Sequence, residues 1–138
     1  MTKYLLTVGF GGSVTDVGMT GWTPAEIRAH LDYHAAVNDQ LRASGELLET
    51  LALTGPERAK VVTAGAGTEP TVRDGPFAGS TEMLAGYQLV DVESEERALE
   101  IAAQVSRVPG PGGVPLQQPV GVRRVMDAAD VEMLIPDA

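Results

Sequence analysis

The feature that most constrains this chain is a strand pattern that is apolar on both of its faces. Residues 4–10, YLLTVGF, place Tyr4, Leu6, Val8 and Phe10 on one side of an extended segment and Leu5 on the other. Residues 83–92, MLAGYQLVDV, repeat the pattern, with Leu84, Val90 and Val92 opposite Met83, Ala85, Tyr87 and Leu89. An antiparallel sheet with one wet face alternates apolar and polar residues, so a sheet built from these strands needs cover on both sides. The chain offers only two long helical segments, enough for one side. A second copy of the chain is the expected cover for the other, with the two sheets face to face.

Thr23, Pro24 and Glu26 carry the signals of a helix start: an N-cap, a proline at the first helical position and the acidic partner of a capping box. The helix is expected to run to about Ser44, with Gly45 supplying the left-handed residue that ends it. Its inward stripe reads Ile27, Leu31, His34, Asn38 and Leu41, with His30 and Val37 along the edge. A second strand, LLETLAL (47–53), stops at Gly55-Pro56, and KVVT and PTVR around GAGTE suggest a small hairpin. After the strand at 83–92, Ser94 caps a second helix with Glu95 and Glu96 in its first turn and Ala98, Leu99, Ile101, Ala102 and Val105 on its buried face. PGPGG (109–113) is a loop and PVGVRRVM (119–126) a last strand. The order strand, helix, strand, hairpin, strand, helix, strand predicts an α+β fold: a ferredoxin-like split βαβ arrangement with an antiparallel sheet and an inserted hairpin. It forms one domain over residues 1–126, followed by a loosely held acidic tail, 127–138.

Composition removes several functions. Nineteen acidic residues against ten Lys and Arg give a net charge of −9, and Arg123-Arg124 is the longest basic cluster. Nucleic acid, which needs a concentrated basic surface, is an unsuitable partner. The absence of Cys excludes disulfides, thiolate nucleophiles and thiolate zinc sites. No apolar run reaches membrane length, and MTKYLLTVGF meets glycine too early for a signal peptide. A soluble cytoplasmic protein without a membrane partner is expected.

DGPFA (74–78), followed by Glu82, Leu84, Gly86-Tyr87 and LVDV, then a capped helix containing ALEIAA, resembles the YCII-related family in its DGPF branch over about residues 4 to 126. VRRVM near the end is similar to the branch's closing strand. The resemblance implies a dimeric α+β barrel of ferredoxin-like subunits with a His–Asp pair in its cleft. It also implies, for some members, activity on small organic molecules, and an association with extracytoplasmic-function sigma factors. The family histidine matches His34 by its distance from the Gly that closes the first helix. Two departures stand out. Gly79, Ser80 and Thr81 precede Glu82 where the branch commonly reads Glu-Thr-Lys-Glu, and Arg124 stands where it usually has Pro.

The candidate catalytic residues are His34 and Asp74. An imidazole titrates near neutrality and serves as a general acid or base, and a nearby carboxylate would orient it and favour its charged form. The competing readings are a half-buried histidine bonded to a backbone carbonyl and an Asp that only caps its turn. Arg73, Phe77 and Tyr87 are the candidate substrate-binding residues. Arg73 would otherwise pair with a structural acid, Phe77 anchor its loop, and Tyr87 pack in the sheet. His30 and His34, four apart, reach one metal only with a third ligand, and Asp32 and Asp39 point elsewhere on the helix, so no metal is expected. GFGGS lacks the Lys-Ser/Thr of a phosphate loop, and no cofactor is expected. The function these residues suggest is binding a small polar organic molecule, with lyase, hydrolase and isomerase chemistry all open. The alternative is a non-catalytic regulatory partner, for instance of a sigma factor.

Overall fold

The computed structural model describes residues 1–10, 19, 21–75 and 83–135. Its strands and helices, in chain order, are β1 (Thr2–Phe10), α1 (Pro24–Ala43), β2 (Leu47–Ala52), β3 (Lys60–Thr63), β4 (Thr71–Asp74), β5 (Met83–Val92), α2 (Glu95–Ser106), β6 (Val120–Arg124) and α3 (Ala128–Leu134). Four strands form one sheet in the order β2-β5-β1-β6, and every neighbouring pair is antiparallel. β3 and β4 form a separate antiparallel hairpin. The protein is therefore α+β with an antiparallel sheet.

Register explains which side of each strand is buried. Tyr4 lies opposite Val90 and Leu6 opposite Gln88 and Val122, while Leu47 of β2 lies opposite Val90. These inward positions meet Val37 and Leu41 of α1 and Ala98 and Ile101 of α2 in one hydrophobic core. On the other side, Leu5 pairs with Leu89, Thr7 with Tyr87, and Leu51 of β2 with Tyr87. Leu5 and Leu89 are half-buried and Leu51 is 51% exposed. This outer face keeps apolar residues at the surface, flanked by Lys3 opposite Asp91.

Both ends of α1 follow from local chemistry. The Thr23 hydroxyl accepts from the Glu26 N–H at 3.1 Å, and the Glu26 carboxylate accepts from the Thr23 N–H at 2.8 Å, completing the capping box. Gly45, at φ +80°, takes the left-handed conformation that closes the helix. The other Glu26 oxygen accepts from the Gly112 N–H at 2.6 Å, which ties the start of α1 to the loop after α2. These backbone donors, Thr23 foremost, hold the Glu26 carboxyl below its ordinary range.

The buried line of α1 differs from the expected stripe. His30, Val37 and Leu41 are buried, while Leu31 is 55% exposed. The loop carrying Val108 and Leu116, both buried, lies against the helix, and its Pro109 carbonyl takes a hydrogen bond from His30. That contact turns His30 inward. Leu99, expected on the buried face of α2, is 51% exposed. α2 is instead anchored at its edge by Arg97, whose guanidinium donates to both Glu46 oxygens at 2.8 and 2.9 Å and to Glu100 at 3.1 Å. Within the segment read as an acidic tail, residues 128–134 form α3, none of them buried. Asp127 and Asp130 make a reciprocal capping box, and Asp130 also takes a forked contact from Arg124.

Candidate functional site

A cavity of about 560 Å³ opens between α1 and the β2–β5 end of the sheet. α1 contributes His30, Leu31, His34 and Asn38 to its wall. β2 contributes Thr50, Leu51 and Ala52, β5 contributes Ala85 to Gln88, and β1 contributes Val8 and Gly9. Met19, Trp22, Leu53, Val105, Leu116 and Gln118 complete the described lining. The volume lies within the range of small-molecule sites, and its wall is mainly apolar with a few polar groups, which is the usual composition of such sites. Among the described residues lining it, none is Asp, Glu, Lys or Arg.

The histidines sit one helical turn apart and meet edge to face, with ring centroids 4.9 Å apart at 70°. Trp22 stacks against His30 in the same manner at 5.4 Å, and Tyr33 against His34 at 6.5 Å. His30 Nδ1 lies 3.0 Å from the Pro109 carbonyl oxygen. A carbonyl only accepts, so Nδ1 carries the proton and donates, which fixes the orientation of this ring. Tyr33 is held likewise, its hydroxyl donating to the Gln104 carbonyl at 2.7 Å. His34 makes no hydrogen bond among the described residues. Burial, followed by the neighbouring charge of His30, pushes its pKa down to about 4. Its imidazole is therefore neutral at physiological pH.

Beside the histidines lie two carboxamides. Gln88, buried at an inward position of β5, donates from Nε2 to Asn38 Oδ1 at 2.6 Å. Gln118 Nε2 donates to the Gly9 carbonyl at 3.0 Å, and the Thr50 hydroxyl donates to the Tyr87 carbonyl at 3.0 Å. The Tyr87 hydroxyl is raised above its ordinary range, by desolvation first and the Glu49 carboxylate second, so it too stays neutral. Among the described residues, the polar side chains of the wall are carboxamides, hydroxyls and the two imidazoles.

The candidates from sequence divide between two places. His34 and Tyr87 line the cavity. Arg73 and Asp74 lie on β4 of the separate hairpin, both exposed, and Phe77 lies outside the described residues. The Asp74 carboxylate accepts from Lys60 at 2.5 Å across the hairpin and its side chain is 85% exposed. No hydrogen bond joins it to His34, and it is not among the groups that shift the His34 pKa. The partner that sequence reasoning set aside, His30, is the one in contact. Gln88 and Asn38 were missed as site residues. Gln88 was legible in principle, as a polar residue at the same strand parity as Val90 and Val92. Among the described residues no three metal-binding side chains gather, and no described helix is long and apolar enough to cross a membrane.

The family model of the YCII-related domain matches residues 13–114, a stretch that contains α1, β2, the hairpin, β5 and α2. Among curated proteins there is no match.

Proposed function

We propose, from the premise that this chain belongs to the YCII-related family, that it binds a small organic molecule in the cavity beneath α1, with His34 as its main polar reader. The observation that carries this reading is a part-enclosed cavity, with no Asp, Glu, Lys or Arg among its described lining residues, into which a helix presents a neutral imidazole with no protein partner among the described residues. A neutral imidazole offers one donor and one acceptor, suited to a hydroxyl, carbonyl or amide. Proton transfer is less well served. At neutral pH a base titrating near 4 gives up about a thousandfold in driving force relative to one matched to the solution. Recognition is accordingly the primary task of the site, and catalysis would require a bound molecule that raises the His34 pKa.

Ligand-observed NMR on a metabolite mixture tests this, with the wild type beside Ala52→Trp. Ala52 lines the cavity opposite Gly86, and an indole there would occupy space in the cavity while leaving both histidines unsubstituted. Saturation transfer seen with the wild type and lost in the variant supports the reading. Equal transfer in both places binding elsewhere and removes it.

The same reading includes a homodimer whose outer sheet faces pack together into an α+β barrel of ferredoxin-like subunits. Leu5 and Leu89, half-buried, and Leu51, exposed, on that face support it, because large apolar residues are costly to leave in water. Sedimentation equilibrium should give a mass near twice 14.5 kDa. A monomer at micromolar concentration would rule out the barrel.

A further inference from the structure

The carboxamides beside His34 say more about what the cavity takes. Gln88 gives an N–H to the Asn38 carbonyl oxygen, and the reverse bond is not made. The ends of the pair left without a partner among the described residues are Gln88 Oε1, an acceptor, and the Asn38 NH₂, a donor. Gln88 is itself 7% exposed, so its geometry is set by packing before any ligand arrives. A ligand with the complementary pattern pairs with both groups at once. The complement of an acceptor beside a donor is an N–H beside a C=O.

The rest of the wall decides against ions. With no Asp, Glu, Lys or Arg among the described residues along the cavity, a carboxylate, phosphate or ammonium entering it would lose its water and meet no carboxylate, ammonium or guanidinium there to pair with. Trp22, His30 and His34, stacked edge to face along one side, offer ring surface to an apolar body instead. We infer that the ligand is an uncharged molecule with an apolar body and one carboxamide-type group, an amide, lactam or cyclic imide, read by the Asn38–Gln88 pair. This rests on the cavity being the ligand site and narrows the class of molecule it accepts.

The test uses the full-length ¹⁵N-labelled chain. Trp22 is the only tryptophan, so its indole N–H gives a single, self-assigned resonance in the cavity wall. The probes are matched triads: a panel of aryl and alkyl scaffolds, each carrying a primary amide, a carboxylate or an ammonium. At least one amide should move the indole resonance saturably, and bind at least about tenfold more tightly than both ions on the same scaffold. In Gln88→Leu, checked for folding by circular dichroism, the preference of that amide over the matching methyl ketone should fall by about tenfold. An ion that binds as tightly as its amide overturns the ligand class while leaving the cavity a ligand site. An amide preference unchanged in Gln88→Leu overturns the role of the carboxamide pair. If no member of the panel moves the indole, the cavity reading fails and the inference falls with it.

Discussion

Replacing His34 with Leu removes the ring that pays for its burial in lost basicity, and the consequence is a change in how stability depends on pH. In the folded chain this imidazole titrates near 4 against an ordinary 6.5. Between those values the unfolded chain holds a proton that the folded chain does not. Stability therefore falls as the pH falls through this window, starting at the unfolded value and finishing at the folded one. Each pH unit in the interval corresponds to about 1.4 kcal/mol, which sets a ceiling of roughly 3 kcal/mol for the interval. Water reaches part of the ring, so we expect about 1–2 kcal/mol. Leu has similar bulk and does not titrate. Urea unfolding, followed by circular dichroism, should show the wild type losing that amount relative to His34→Leu between about pH 7 and about pH 4.5. Taking the difference at each pH cancels the carboxylates common to both chains. A difference that stays flat across the window would refute a neutral, desolvated His34.

Three other substitutions probe the frame around the site. Arg97→Ala breaks the fork to Glu46 and should cost about 2 kcal/mol in urea unfolding at neutral pH, because the Glu46 side chain is only 13% exposed. The Arg97 hydrogen bonds hold the Glu46 pKa below its ordinary 4.5, so this stabilisation is present above that value. It fades as the pH falls through the folded value, and the gap between the two chains should close in acid. Ile101→Ala, at a fully buried position of α2, should cost about 2–5 kcal/mol by the same measurement. Asp74→Asn removes an exposed pair with Lys60; it should change stability by less than about 1 kcal/mol and leave the His34 titration in NMR where it was. A shift of that titration would join the hairpin to the site after all.

The parts of the fold that were legible in sequence are those set by local chemistry. The Thr23–Glu26 box and Gly45 bound α1 because each needs only its neighbours along the chain. The two-faced apolarity of β1 and β5 shows in alternation alone, and in the structure the two strands lie at the centre of the sheet. What sequence hid depends on distant partners. The rotation of α1 that buries His30 comes from the Pro109 carbonyl, 79 residues away. Acidic residues at 127 and 130 looked like a solvated tail, yet their spacing is that of a capping box, and Arg124 adds a fork to it. Asp74 drew attention as part of a DGPF loop. Its partner is fixed instead by hairpin register, which sets Lys60 directly opposite.

The most direct test is a crystal of the full chain soaked with a metabolite mixture and examined for ordered small molecules. The account predicts one beneath α1, its polar group within hydrogen-bond reach of His34 or of the Asn38–Gln88 pair. A molecule ordered at the hairpin beside Arg73 and Asp74, with nothing bound against His34, would contradict it.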